Sequence, residues 1–419
     1  GDWRLIEARQ SGHEYQVDHG PDGLIIRSNA PSENFALFKT DPANPAQEHW
    51  QMLAELDTAR TLEDFSVQQA GLLLHYRDQG LITLEVRPSS PSAATYKVAM
   101  PDAVYSLHVQ GGEEYSSETI RLRYESLNRP GEVRALHIAN GEQQVEGPFD
   151  PDAYQVTREW ASAPDGSRIP ISLVSARNPS SSPAPLYLYG YGAYGASMDP
   201  WFSHARLSLL DRGWVFAIAH VRGGADLGEG WYQAGKLEHK HNTFTDFIAC
   251  AEHLIARNLT DSSQLVVAGG SAGGLLIGNV INQRPELFAA AVADVPFVDV
   301  FNTMNNPGLP LTIGEYEEWG DMNEPVVAER VRGYAPYEQV SAQNYPALFV
   351  TAGYHDMRVQ YWEAAKWVAK LRHCKTDSRP LLLRTQMSAG HGGASGRYQA
   401  IRELAEEYSF LLAVIPRAN

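Results

Sequence analysis

The chain has 419 residues, 43% hydrophobic and 20% charged, with a formal net charge of −16 at pH 7. That length exceeds one ordinary core and predicts two domains, while the acidic balance argues against a general nucleic-acid binder and suits either a cationic substrate or plain solubility. Two cysteines, Cys250 and Cys374, cannot build a disulfide framework, no apolar run reaches membrane-spanning length, and the opening GDWRLIEARQ has no secretory pattern, so a cytoplasmic protein without a membrane partner is expected.

Residues 1–150 read as strands. GLIIRS (23–28) and NFALFK (34–39) flank a polar turn, and GLLLHYRDQGLITLEVR (71–87) is two apolar runs around Asp78-Gln79-Gly80, a hairpin signal. ETIRLRYESL (118–127) and EVRALHIANGE (132–142) form another pair, with the turn expected at Pro130-Gly131. Equivalent strand positions fall at Leu24, Leu73 and Ile120, with spacings of 49 and 47 residues. A repeat of that size fits all-β propeller blades, against the alternative of a meandering sandwich. About three blades are expected here, whereas closed propellers have ~4–8.

Residues 151–419 have a different texture. RNPSSSPAP (177–185) reads as a loop entering the first main strand. Buried-type strands follow at 185–190, 214–219, 264–269, 288–294, 346–353 and 380–385, with amphipathic stretches between them such as 242–258 and 360–374. This alternation predicts a doubly wound, mostly parallel sheet with helices on both faces.

The stretch QLVVAGGSAGGLLIG puts Ser271 between a strand and a helix, with Gly269 and Gly273 two residues to either side. This is the nucleophile-elbow pattern, in which a strained turn presents a serine hydroxyl. An acid and a base should then follow in order on loops after later strands. YHDMRV after strand 346–353 offers Asp356, and QMSAGHGG after strand 380–385 offers His391. His391 would take the serine proton and Asp356 would orient the imidazole. His355 is the rival base, but its position directly before the acid should turn its side chain elsewhere. The oxyanion needs donors: the backbone N–H of Ala272, and a second from LYGYGAYGASMDP (188–200), where Tyr191 offers a phenol.

YGYGAYG (189–195), the run 220–247, the run 269–300, EYEEWG (315–320), YWEAAKWVAKL (361–371) and AGHGGASGR (389–397) together resemble the prolyl oligopeptidase family of serine peptidases, in its oligopeptidase B branch. The resemblance implies an α/β-hydrolase catalytic domain over 151–419 and, over 1–150, the last blades of a seven-bladed propeller that admits only short peptides. Cleavage after arginine or lysine is implied. Ser271, Asp356 and His391 match the triad of that family, and Tyr191 with Ala272 its oxyanion hole. Arg358 matches an arginine that binds substrate carbonyls, and Phe297 an aromatic of the pocket for the residue before the scissile bond. Glu315 and Glu317 match the glutamates that receive the basic side chain. Asp199 matches one carboxylate of a D-x-D pair for a second basic residue, but Trp201 stands where the other would be. A companion fragment carrying the earlier blades is expected.

Two competing functions remain open on the residues alone: a carboxylesterase-type hydrolase using the same triad, and a propeller interaction module with an inert hydrolase domain. GGADLGEG (223–230) lacks dinucleotide spacing, and His239 and His241 lack further ligands, so no cofactor and no metal are expected.

Overall fold

Strand repeats in the first part of the chain close into small antiparallel sheets, and the computed structural model describes residues 4–53, 59–110, 114–146, 153–177 and 183–415. Two units are resolved. One comprises Gly1–Asp150, Asp199–Phe202 and Asp226–Gly230, and the other the remainder. The boundary expected near residue 150 and most of the loop at 177–185 lie outside the described residues.

The first unit holds three four-stranded sheets, each strand pairing with the next. They are β1 (Tyr15–Gly20), β2 (Gly23–Ser28), β3 (Ala36–Thr40) and β4 (Gln51–Met52); β5 (Arg60–Gln68), β6 (Gly71–Asp78), β7 (Leu81–Pro88) and β8 (Tyr96–Lys97); β9 (Ser106–Gln110), β10 (Thr119–Ser126), β11 (Arg129–His137) and β12 (Gln143–Glu146). Leu24, Leu73 and Ile120 all lie in the second strand of their sheet, which accounts for the sequence period. Ile25 and Leu37 pack on Leu62, Phe65 and Leu74, while Leu73, Leu84 and Val86 pack on Leu107, Leu122 and Leu136, so neighbouring sheets share buried faces.

The hairpin at Asp78-Gln79-Gly80 forms as its residues dictate. Gln79 and Gly80 take φ of 51° and 85°, the left-handed pair that matches strand twist in a two-residue turn. The hairpin between β10 and β11 differs from expectation. Its turn is Leu127-Asn128, and Pro130 and Gly131 lie inside β11 opposite a register shift between Tyr124 and Ser126. Proline has no N–H to give a ladder and is tolerated at such an irregularity.

The second unit is built on one sheet of eight strands: β13 (Tyr154–Ser162), β14 (Arg168–Ala176), β15 (Leu186–Tyr189), β16 (Val215–Ala219), β17 (Leu265–Gly270), β18 (Ala290–Asp294), β19 (Ala347–Gly353) and β20 (Leu381–Gln386). The order is β13-β14-β16-β15-β17-β18-β19-β20, with β13 and β20 at the edges. From β16 to β20 every pairing is parallel; β13 and β14 add an antiparallel edge. That edge pair escapes a reading by apolar runs because YQVTREWAS is polar and charged.

Alternate strand residues bury against two helical layers. Leu186, Leu188, Ala217, Val267, Ala291 and Val350 share a core with the helices His241–Ala256, Ala272–Gln283 and Tyr361–Cys374. From the opposite face Tyr187 donates its hydroxyl to Glu407 Oε1 at 2.9 Å, Phe349 meets Phe410 at 5.5 Å, and the Arg206 guanidinium covers Phe216 at 3.7 Å. These partners belong to the helices His204–Leu210 and Arg397–Val414. Strand order reverses at β15, which has β16 on one side and β17 on the other. Open α/β sheets place their sites at the carboxyl ends of strands at such a reversal.

The glycine-rich run after β16 is structural. A Cβ on Gly223 would sit 2.2 Å from Gly192 O, and one on Gly235 only 2.0 Å from Gly223 N. Backbone therefore touches backbone. Arg222 secures this knot: its Nε and Nη2 donate to Asp246 Oδ2 and Oδ1 at 2.9 and 2.6 Å, and its own amide donates to Oδ2 at 3.0 Å. Asp246 is fully buried. Asp246→Ala should cost about 3–5 kcal/mol of unfolding free energy, since it leaves the buried guanidinium only the partly exposed Asp165, which Nη1 meets at 2.6 Å. Glu159→Ala, removing the more exposed pairs with His253 and Arg257, should cost under about 1 kcal/mol. Urea titration followed by circular dichroism measures both; similar losses would show that the Arg222–Asp246 pair is not special.

Candidate active site

Ser271 sits between the end of β17 and the first turn of the helix Ala272–Gln283, at φ 56° and ψ −119°. A non-glycine residue rarely tolerates that conformation, so the surroundings must enforce it. A Cβ on Gly269 would lie 2.5 Å from Gly273 O and 2.8 Å from Gly190 O, and one on Gly273 would lie 2.7 Å from Gly190 O. The Ser271 amide donates to Asp294 O at 2.8 Å, and its carbonyl accepts from Phe297 N and Gly274 N, both at 2.9 Å. The Ala272 N–H, first in the helix, has no acceptor inside it.

The loops after β19 and β20 come together. A Cβ on Gly353 would lie 2.5 Å from Gly390 O, and His355 N donates to Ala389 O at 3.0 Å. Asp356 is buried and His391 Nδ1 meets its Oδ2 at 2.7 Å. Its other oxygen accepts from the amides of Arg358 and Val359 at 2.8 and 3.0 Å. This carboxylate is thus held on both oxygens and fixes the ring it faces. The His355 ring is exposed and lies edge-on to Tyr354 at 5.1 Å. Tyr191 and Ser271 border one cavity, and the serine side chain acts on the Tyr191 phenol. No hydrogen bond joins Ser271 to His391. The two border different cavities, of about 380 Å³ for Ser271 and about 330 Å³ for His391.

Tyr191, Phe297, Leu311, Glu315 and Arg358 line the same cavity as Ser271. Burial pushes the Tyr191 phenol above its ordinary pKa, with Glu318 and Glu315 adding to the shift, so it stays protonated and able to donate. Phe297 packs edge-on against Trp319 at 5.4 Å. Glu315 is half-buried and accepts from Trp319 Nε1 at 3.3 Å; among the described residues no cation pairs with it.

Two sequence candidates lie elsewhere. Glu317 is exposed and does not line this cavity, because the short helix Tyr316–Trp319 turns it away. Asp199 belongs to the first unit, where it pairs with Arg77 Nη1 at 2.8 Å beside Glu63. Its carboxylate is already compensated.

The description "Prolyl oligopeptidase family" matches residues 200–417, and "Prolyl oligopeptidase, N-terminal beta-propeller domain" matches residues 2–146. The chain belongs to the prolyl oligopeptidase family. It is 39% identical to Protease 2 of Moraxella lacunata and 38% identical to Dipeptidyl aminopeptidase BI of Pseudoxanthomonas mexicana, each over 98% of this chain and 60% and 58% of theirs. Oligopeptidase B structures from Leishmania major and Trypanosoma brucei superpose with TM-scores of 0.88 and 0.89 at 39% and 40% identity, over 98% and 99% of this chain and 59% and 61% of theirs. The chain thus spans about 60% of the length of these relatives. As in that family, the architecture is an α/β-hydrolase domain with propeller sheets. The propeller match falls within this chain itself and gives the expected companion fragment no support. Among the described residues no helix is long and apolar enough to cross a membrane, and no group of three or more His, Cys, Asp or Glu could hold a metal ion.

Sequence reasoning about this family member missed several residues at the cavity. Glu318, not Glu317, is the buried carboxylate of the acidic run; it accepts from Tyr194 N at 3.1 Å and from Tyr232 Oη at 2.7 Å. Leu311 lines the cavity at φ 73°, strained and more than half exposed. Beneath the wall lies Glu363, fully buried, accepting from Thr303 Oγ1 at 2.7 Å and Asp299 N at 2.9 Å. Thr303 lines the cavity, so Glu363 joins its wall to the helix that follows Asp356.

Burial pushes the Glu363 carboxyl up to about 8. The folded state therefore keeps a proton that the unfolded chain releases near 4.5. The stability contributed is full below that value and is lost as pH rises through about 8. Unfolding free energy should fall more steeply from about pH 5 to about pH 8 in the parent than in Glu363→Gln. Urea titrations across that range give the slopes, and equal slopes would refute the assignment.

Proposed function

We propose that the chain is a serine oligopeptidase that hydrolyses short peptides on the carboxyl side of arginine or lysine. One observation carries the specificity: Glu315, a half-buried carboxylate with no ion pair among the described residues, lines the cavity that Ser271 also borders. A carboxylate so placed favours a guanidinium or ammonium brought by the ligand. The likeness to Protease 2 and to the two oligopeptidase B structures supports this reading.

In this reading the basic side chain enters past Leu311 and Phe297 and ends at Glu315. Arg358 binds a substrate carbonyl. Ser271 Oγ attacks the scissile carbonyl while His391 takes its proton, a contact that resting enzymes often complete only with substrate in place. Asp356 holds the imidazole and stabilises its cation. The oxyanion receives the Ala272 N–H and the Tyr191 hydroxyl. His391 then protonates the leaving amine, and water releases the acyl group by the same steps in reverse. Two free cysteines fit a reducing, cytoplasmic setting.

A second reading, release of dipeptides from free amino termini, is favoured by the likeness to Dipeptidyl aminopeptidase BI. Reporter peptides with blocked and free amino termini separate the two. The endopeptidase reading expects the blocked peptides to be cut, and cleavage confined to free dipeptidyl termini would overturn it. Ester-only turnover would return the chain to a carboxylesterase. Glu315→Gln should lower kcat/KM for arginine reporters by at least about 30-fold, the factor set by about 2 kcal/mol for a broken charge pair, and alanine reporters by much less. Equal losses on both would defeat the role of Glu315.

A further inference from the structure

Lys240 is the unexplained charge beside this site. Its side chain is among the largest that are wholly enclosed, and among the described residues its Nζ donates to a backbone carbonyl and no ion pair ties it to a carboxylate. Enclosing an ammonium costs several kcal/mol unless its surroundings answer it. Burial pulls Lys240 down to about 8, while the field of Glu318 acts in the opposite direction. A methionine would fill the same space at less cost, so the charge calls for a reason.

Its contacts supply one. Nζ donates to Gly192 O at 2.6 Å and stands 5.0 Å from the centre of the Trp319 ring. Gly192 directly follows Tyr191. It has φ 71°, and a Cβ there would lie 2.4 Å from Thr243 Cγ2, so the chain at this point is clamped between Thr243 and Lys240. Trp319 packs on Phe297 at 5.4 Å and on Tyr194 at 5.8 Å, and donates to Glu315. Glu318 closes the loop by accepting from Tyr194 N. Lys240 therefore lies where the segment carrying Tyr191 meets the segment carrying Glu315.

We propose that Lys240 is a positioning residue that, through Gly192 O and the Trp319 ring, sets the Tyr191 hydroxyl at Ser271 and keeps it in register with the Glu315 wall. This rests on the oxyanion role of Tyr191 given above. Lys240 touches no reacting atom. Its effect reaches the reaction through where Tyr191 stands, so it should act on turnover and leave substrate affinity nearly unchanged.

The test compares Lys240→Met, Tyr191→Phe and the double variant in the full chain, with an arginine reporter peptide. Lys240→Met should lower kcat about 10- to 100-fold, the scale set by a misplacement of about 1 Å, with KM within about two-fold of the parent. In the Tyr191→Phe background the same substitution should change kcat by less than about three-fold, because the group being positioned is gone. Lys240→Gln carries the same comparison if Lys240→Met does not fold. If Tyr191→Phe leaves kcat unchanged, the oxyanion reading fails. If Tyr191→Phe lowers kcat but the lysine substitution acts equally in both backgrounds, or acts through KM, or does nothing, the inference about Lys240 fails while the oxyanion reading stands.

Discussion

The site depends on how closely bare backbone can approach at the carboxyl ends of β15 and β17. Gly190, Gly269 and Gly273 meet there with no room for a single added carbon between them. That crowding sets the turn, and the turn holds Ser271 in a conformation it would not adopt alone. Four backbone bonds to the Ser271 amide and carbonyl make the strain persistent. The same crowding brings the Tyr191 segment over the first turn of the helix, where the unpaired Ala272 amide lies. One steric constraint thus brings the strained Ser271, the first amide of the helix and the Tyr191 segment together.

Charge does the complementary work. Arg222 and Asp246 answer each other inside the protein, as do Arg77 and Asp199. Glu315 has no such partner among the described residues, and it borders a cavity. Around it the carboxylate of Glu318 is spent on an amide and a phenol, and Glu363 keeps its proton. Glu315 and Arg358 thus border one cavity, and among the described residues no ion pair is formed by Glu315. In the proposed function, selectivity for a cation would follow from this placement rather than from the overall acidity of the chain.

The sheet of the second unit was readable because its central strands are buried on both faces and appear as continuous apolar runs. Leu265–Gly270 and Ala347–Gly353 are such cases. The edge strand Tyr154–Ser162 is not, since it is mostly half-buried and charges interrupt it. Pro130-Gly131 misled because those residues usually make turns, and here a strand irregularity absorbs them. Ser271, Asp356 and His391 were legible through their order on loops after strands. The pairing of Asp356 with His391 followed, whereas the gap between His391 and Ser271 depends on loop placement that no spacing encodes. Glu317 and Glu318 are adjacent in sequence, and only the turn of the helix Tyr316–Trp319 decides which faces inward. The match of Asp199 to one carboxylate of a D-x-D pair says nothing of Arg77, its partner, which lies 122 residues away.

The edge strand β13 has a further consequence. An open strand edge invites another chain to add to it and so seeds aggregation. On β13, Glu159 is bonded to His253 and lies within reach of Arg257, and Arg158 donates to Ser172 Oγ at 2.5 Å. A foreign strand docking here would set its own side chains beside these charged groups. The charges that hide this strand from a reading of hydrophobic pattern would also make its edge a poor template for another copy of the chain.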